Sequence, residues 1–316
     1  MKLLSFSTDR QSAPRLGAHV GNSKVIDIGV AYRRIYEAEP PNWFDSVSSL
    51  VAGGETARNL ANEVVSGVTT SPMESKKEDR EERAITHDAD NILFHPVASR
   101  SAKILCVTIN YETHAAASSQ KPAEEPFFFI KMPNGLVAHK WPVIASKTSK
   151  KCDSEIELAV VIGKRGKYIP EKEALSHVAG YTIANDFSFR DRRTAKSDPT
   201  RLNWLTLKNL DTSAPLGPWL VTKDEIEDPY KLKISITLDN DPNEIQVGST
   251  SDMIHKIPKL IENASNGLTL EPGDVICTGT PHQIAFGHER FLKEGDIIRA
   301  EIEGIGTLVN PVVGET

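Results

Sequence analysis

Glu155 and Glu157 stand two residues apart at the head of an apolar run, Glu155-Ile-Glu-Leu-Ala-Val-Val-Ile162. In a strand, residues i and i+2 point to one face. Two carboxylates on one face of a buried strand repel each other and resist desolvation. A divalent cation removes both penalties, and carboxylate oxygens suit the hard ions Mg²⁺, Mn²⁺ and Ca²⁺. The competing assignment turns Glu157 inward, leaves Glu155 at an exposed strand start and pairs each with Arg or Lys. Asp186 follows the apolar segment Val178 to Ala184 and can add a third carboxylate at a strand end. Arg190 lies about one turn further on if a helix starts here, placed to grip a substrate carboxylate through two parallel hydrogen bonds. The plain alternative is an N-cap Asp before a solvated basic helix start.

Three more segments could carry chemistry. His114, in Asn110-Tyr-Glu-Thr-His114, follows the apolar run Ile104 to Val107 and is either a general base on a loop after a strand or an ordinary surface histidine. Thr278-Gly279-Thr280-Pro281 follows the run Val275 to Cys277 and offers N–H and O–H donors to an oxyanion, or is a tight turn. Lys208 is flanked by apolar residues, so it is either desolvated for an electrophilic or proton-transfer role, or snorkels to the surface.

The elements that must position these groups are mostly strands. Leu3 to Phe6, Arg15 to Val20 and Lys24 to Ile28 are short strand signals, with Gly21-Asn22 as the hairpin turn. Residues 29–65 have helical spacing, making residues 1–72 a small α+β domain. Residues 66–90 are polar and charge-dense, a linker or an exposed helix, and the linker is set at residues 73–98. From residue 99 to 316, short apolar runs recur near 103, 127, 142, 155, 231, 274 and 296, with Asp239-Asn240 as a turn. Helical pattern there is confined to Pro170–His177 and Ser251–Ala264. The expected fold class is α+β, mostly β, with a barrel or roll as the larger domain.

Composition narrows the function classes. The chain has 316 residues, room for about two domains. Lys and Arg number 37 against 43 Asp and Glu, a net charge of −6, which argues against a nucleic-acid partner held through phosphates. No apolar run approaches the ~18 residues of a membrane span, and the N-terminal residues lack a secretory pattern. Cys106, Cys152 and Cys277 are odd in number and widely spaced, which fits a reducing, cytoplasmic setting and gives no zinc motif.

Taken in order, the segments KILCVTINYETHAAA, EIELAVVIG, GYTIANDFSFRD, KNLDTSAPLGP, STSDMI, CTGTP and GIGTLVN resemble the fumarylacetoacetate hydrolase family over about residues 100–310. The resemblance implies a β-roll catalytic domain, a homodimer, and a divalent metal (Mg²⁺ or Mn²⁺ first, Ca²⁺ also in use) on Glu155, Glu157 and Asp186. It implies His114 as base and Lys208 as a second catalytic group. Arg190, Gly279 and Thr280 become substrate contacts. The implied substrate is a small 2-oxo or 1,3-dicarbonyl acid. A carbon–carbon bond is cleaved by hydrolysis or decarboxylation through a metal-stabilised enolate. The alternatives are an isomerase, cyclase or dehydratase with the same chemistry, or a non-catalytic binding protein.

Departures from the family pattern bear on the reaction. The Glu that pairs with the His in acylpyruvate-cleaving members is Ala117 here, and Glu124 or Glu125 are the carboxylates that could replace it. Arg193 stands where the family has Gln, favouring a more anionic substrate. Leu207-Lys208-Asn209 replaces a Gly-Lys-Ser. The loop His282-Gln-Ile-Ala-Phe-Gly287 is bulkier than the family's, and His282 is an added acid–base candidate facing substrate.

Overall fold

The computed structural model describes residues 1–70, 84–118, 121–195, 198–239, 241–281 and 290–315. Its largest element is a 12-stranded sheet. The main path runs Thr86–Asp88, Lys24–Asp27, Arg15–His19, Lys2–Ser7, Ala214–Thr222, Val178–Asn185, Ile156–Ile162, Val275–Cys277, Ile104–Val107 and Phe128–Lys131. Along it only Val275–Cys277 and Ile104–Val107 pair parallel. A five-stranded sheet contains Asp241–Ser249, Lys233–Leu238, Ile297–Ile302, Gly306–Gly314 and Val143–Ala145.

The strand Ile156–Ile162 is buried along its whole length, and its period of two sorts it between two cores. Ile156, Leu158, Val160 and Ile162 pack with Ile234, Ile236, Ile298 and Leu308 of the smaller sheet. Ala159 and Val161 belong instead to the core beneath the N-terminal helices, with Leu50, Ala57 and Val64. Glu155 and Glu157 share the parity of Ala159 and Val161. The large sheet is therefore covered on both faces, with the smaller sheet on one side and helices on the other.

The N-terminal helical stretch is three helices rather than one: Ile28–Tyr36, Val47–Ala52 and Gly54–Thr70. Asp27 caps the first, accepting from the Val30 N–H, and Glu37 ends it in the left-handed region at φ 51. Pro40 and Pro41 then prevent continuation. The first strand, Lys2–Ser7, pairs directly with Ala214–Thr222. Within the stretch read as a linker, Thr86–Asp88 pairs with Lys24–Asp27, and Leu93–His95 with Lys2–Ser7. The turn at Gly21-Asn22 forms as read, both residues having positive φ. Of the Asp239-Asn240 turn, Asn240 lies outside the described residues. The helix placed at Ser251–Ala264 begins only at Ile257, where Pro258 occupies its first turn.

Candidate active site

Two neighbouring strands build the acidic centre. Glu155 and Glu157 come from the start of Ile156–Ile162, and Asp186 follows the end of its antiparallel partner Val178–Asn185. The ladder runs one step past the strands, because the Asp186 N–H donates to the Glu155 carbonyl at 2.8 Å. All three carboxylates are buried, and one oxygen from each lies within 4.8 Å of the others. Glu155 is 4 % exposed, so it is not the solvated strand start of the competing assignment. Nor is Asp186 an N-cap, since the short strand Ser188–Phe189 follows it.

Cations converge on the same centre. The Lys208 ammonium bonds both Glu155 Oε2 and Asp186 Oδ2. Lys208 ends the helix Trp204–Lys208, is buried at 4 %, and lies 5.2 Å above the Phe129 ring, so it does not snorkel. Arg190 opens a 3₁₀ turn and donates through Nε to Asp153 at 2.8 Å and through Nη2 to Glu155. Its fork is thus committed to two protein carboxylates. Lys131, at the end of the edge strand Phe128–Lys131, approaches Asp186 Oδ1 at 2.9 Å. Among the described residues, four carboxylates (Asp153, Glu155, Glu157, Asp186) here face three fixed cations (Lys131, Arg190, Lys208).

These neighbours pull the carboxyls apart. Burial alone raises Glu155, but Arg190 and then Lys208 hold it well below the ordinary range. Glu157 is pushed well above that range by burial and by Cys277, Asp186 and Glu155. Burial lowers Lys208, yet Asp186 and Glu155 together carry it above its ordinary value. A trio of buried hard oxygen donors, one of them held above the ordinary carboxylate range by burial and its acidic neighbours, fits a divalent cation. Asp186 Oδ1 points the same way, being buried and without a hydrogen bond.

Three loops shape the approach to the trio. Asn110, fully buried, donates to the carbonyls of Thr278 and His255 and accepts from the His255 N–H. It thereby ties the loop after Ile104–Val107 to the Thr278–Thr280 loop. Gly279, at φ +89, donates its N–H to Glu157 Oε2 at 2.7 Å, so it supports an acid of the trio. A side chain there would meet Asn110 Cβ at 3.1 Å. His114, on the helix Glu112–Ser118, places Nδ1 3.2 Å from the Thr280 carbonyl oxygen. A carbonyl only accepts, so Nδ1 carries the proton and the neutral ring has its lone pair on Nε2. Burial lowers the His114 pKa from its ordinary 6.5, against the opposing pull of Glu155.

A cavity of about 450 Å³ joins these groups, lined by His114, Glu155, Glu157, Asp186, Arg190 and Lys208. Thr280 reaches it beside the trio, and exposed Arg193 stands at its edge. His282 and the loop through Gly287 lie outside the described residues. Ala117 is exposed, and Glu125 pairs with Lys259 and Asn263, so it does not replace the absent Glu beside His114. Glu124 is exposed. The sequence reading missed Lys131 and Asp153; an isolated Lys at the end of Phe127-Phe-Phe-Ile-Lys131 was the available signal, a charge closing an apolar strand.

The fold and site define an enzyme built around a buried carboxylate trio at adjoining strand ends. The family profile for the fumarylacetoacetate hydrolase C-terminal region matches residues 103–313, and the chain belongs to that family. Over 316 residues it is 34 % identical to oxaloacetate tautomerase FAHD2A, mitochondrial, of Bos taurus, covering 99 % of this chain and 92 % of that protein. The Homo sapiens protein of the same name is also 34 % identical, with the same coverage. Among solved structures, maleylpyruvate hydrolase from Sphingobium sp. SYK-6, in complex with manganese(II) and pyruvate, superposes with a TM-score of 0.75 at 25 % identity over 100 % of both chains. The fold is the α+β, mostly β architecture of that family. Among the described residues, no helix is long and apolar enough to cross a membrane.

Proposed function

We propose that the Glu155–Glu157–Asp186 trio holds one divalent ion, Mg²⁺ or Mn²⁺ before Ca²⁺, and that the enzyme acts on a small 2-oxo or 1,3-dicarbonyl acid. The observation that carries this is the trio itself: three buried carboxylates within 4.8 Å, opening on one cavity beside His114. The ion, when bound, supplies Lewis acidity to the substrate's oxygens. With Glu157 ionised on the ion, four carboxylates (Asp153, Glu155, Glu157, Asp186) face the three cations Lys131, Arg190 and Lys208 together with the ion's two charges. That leaves an excess of one positive charge, which an anionic substrate meets.

His114 serves as base, taking a proton at Nε2 while Nδ1 stays tied to Thr280. Lys208 is the second catalytic group, holding Glu155 and Asp186 apart from each other and presenting its charge to the cavity. Arg190 contributes mainly by locking Asp153 and Glu155. Arg193, at the edge, suits a second, distal carboxylate, with Thr280 on the substrate side and Gly279 acting through Glu157.

Within this chemistry the branch best supported is proton transfer, the keto–enol or isomerase type. Ala117 leaves His114 without the carboxylate that strengthens water activation, and this weakens hydrolysis before proton transfer. The names of the full-length relatives support the same branch. Carbon–carbon cleavage is the second reading, favoured by the likeness to maleylpyruvate hydrolase. The test follows enol-to-keto conversion of oxaloacetate and cleavage of a short acylpyruvate, with chelator and then with Mg²⁺ or Mn²⁺ restored. Metal-restored turnover of the first supports the proposal, of the second alone supports cleavage, and of neither overturns both.

The division into a small domain at residues 1–72, a connection at 73–98 and a catalytic domain at 99–316 is part of the same proposal, with the strands Thr86–Asp88 and Leu93–His95 of the connection paired to the first domain. Two further points belong to the proposal. A homodimer is supported by exposed Ile130 and Met132 at the outermost strand of the large sheet, an edge that favours covering. A cytoplasmic location is supported by three buried cysteines that form no disulfide.

A further inference from the structure

Lys131 is 3 % exposed and borders, beside Asp186, a small cavity separate from the large one. That cavity, of about 10 Å³, is lined by Lys131, Asn185, Asp186 and Cys277, among others. The Lys131 ammonium does two things. It faces Asp186 Oδ1 at 2.9 Å, and it donates to the backbone carbonyl of Phe187, the next residue, at 3.1 Å. Lys208, which lines the large cavity, takes the other oxygen, Oδ2. Asp186 is thus held between two lysines, one on each carboxylate oxygen.

We infer that Lys131 is a positioning residue for the metal centre: it fixes the carboxylate plane of Asp186 and the peptide that follows it. This rests on the assignment of the trio as a divalent-ion site. Three features separate Lys131 from a generic buried ion pair. Its ammonium grips side chain and backbone of one segment at once, so it sets the direction in which Asp186 leaves its strand. Its strand is tied at the same point to the helix of Lys208, because Asn209 accepts from the Met132 N–H at 2.6 Å and donates to the Ile130 carbonyl. The segments that carry the two lysines are therefore joined through Asn209. Finally, Asp186 Oδ1 is buried and faced by the Lys131 ammonium, so the direction of that oxygen depends on this contact.

A mere counter-charge and a positioning group differ in what their loss does. Removing a nearby positive charge without moving Asp186 tightens cation binding. Removing the group that orients Asp186 loosens it, by about 10–100-fold for supporting residues of metal ligands. The experiment measures Mn²⁺ affinity by calorimetry and the electron paramagnetic resonance spectrum of bound Mn²⁺, in wild type, Lys131→Met and Lys131→Arg. The expected result is at least tenfold weaker Mn²⁺ binding and a broadened spectrum in K131M, with substantial recovery in K131R. Equal or tighter binding with an unchanged spectrum in K131M overturns the positioning role. Should K131M fail to fold, Lys131→Gln keeps a donor for the Phe187 carbonyl without the charge and is judged by the same two readouts. A wild-type protein that binds no Mn²⁺, Mg²⁺ or Ca²⁺ overturns the metal-site assignment itself, which is distinct from failure of the Lys131 inference alone.

Discussion

The Nδ1 of His114 lies 3.2 Å from the backbone carbonyl oxygen of Thr280, and that contact sets the tautomer of the ring. It couples the helix Glu112–Ser118 to the loop after Val275–Cys277, which also supports Glu157 through Gly279. Base and acidic centre therefore share one loop. Burial holds the His114 pKa below 6.5. The acid limb of the kcat/KM profile should accordingly fall below pH 6.5. His114→Ala should lose about 10²–10⁴-fold in kcat while binding Mn²⁺ as wild type does. Stability carries the same sign: as pH drops below 6.5 the unfolded chain takes up this proton first, so the folded state loses ground. An acid limb above pH 6.5, or unchanged turnover in the variant, removes His114 as base.

Arg190 spans Asp153 and Glu155, which are 0 % and 4 % exposed. Arg190→Met leaves both charges buried without their shared partner. The expected loss is about 3–5 kcal/mol of stability, read as a lower denaturant midpoint. Arg190→Lys keeps the charge but has no fork, and should recover only part of it. A stable R190M would mean the two carboxylates find other partners.

An ion that binds Glu157 in the folded chain and not in the unfolded one should stabilise the fold. Mn²⁺ at a hundred times its Kd should add about 2.7 kcal/mol, seen as a rise in Tm. In Glu157→Gln this metal-dependent rise should vanish while the metal-free protein stays folded. Retained metal stabilisation in E157Q places the ion elsewhere.

Ala117 is exposed one helical turn beyond His114. Ala117→Glu should raise acylpyruvate hydrolysis relative to oxaloacetate tautomerisation, by strengthening His114 toward water. Rates on the two substrates, compared in wild type and variant, give the ratio. An unchanged ratio means the absent carboxylate does not select the branch.

Ile109, two residues after the strand Ile104–Val107, has φ 45, a region that a β-branched residue occupies only under strain. It lines the large cavity. Ile109→Gly should raise stability by about 0.5–1 kcal/mol through relief of that strain, net of the glycine's added chain entropy. A drop in the urea midpoint would show that packing of the Ile109 side chain outweighs its backbone.

Much of the site was legible in the chain itself. Spacing of two at Glu155 and Glu157 follows directly from the period of a strand, and Asp186 and His114 each stand just past an apolar run, where strands end and side chains reach solvent. Those signals are local, so sequence order carries them. What pairs with what is not local. Arg190 reads as a substrate clamp because a lone Arg after a strand has no partner in its own segment. Only the fold brings Asp153, on the short strand Cys152–Asp153, against it. Gly279 reads as an oxyanion donor, yet its N–H is turned onto Glu157 by the parallel pairing of Val275–Cys277 with Ile104–Val107. Lys131 and Asp186 are 55 positions apart by number, and no periodicity links them. Their contact exists because the sheet curls back on itself: Phe128–Lys131 is four strands from Val178–Asn185 in the order, yet Leu136–Val137, just after it, pairs with Ala214–Thr222 beside that strand. Residue type and local period determine which groups are available. Strand order and register, set by two hydrophobic cores on opposite faces of one sheet, decide which of them meet and what charge each one carries.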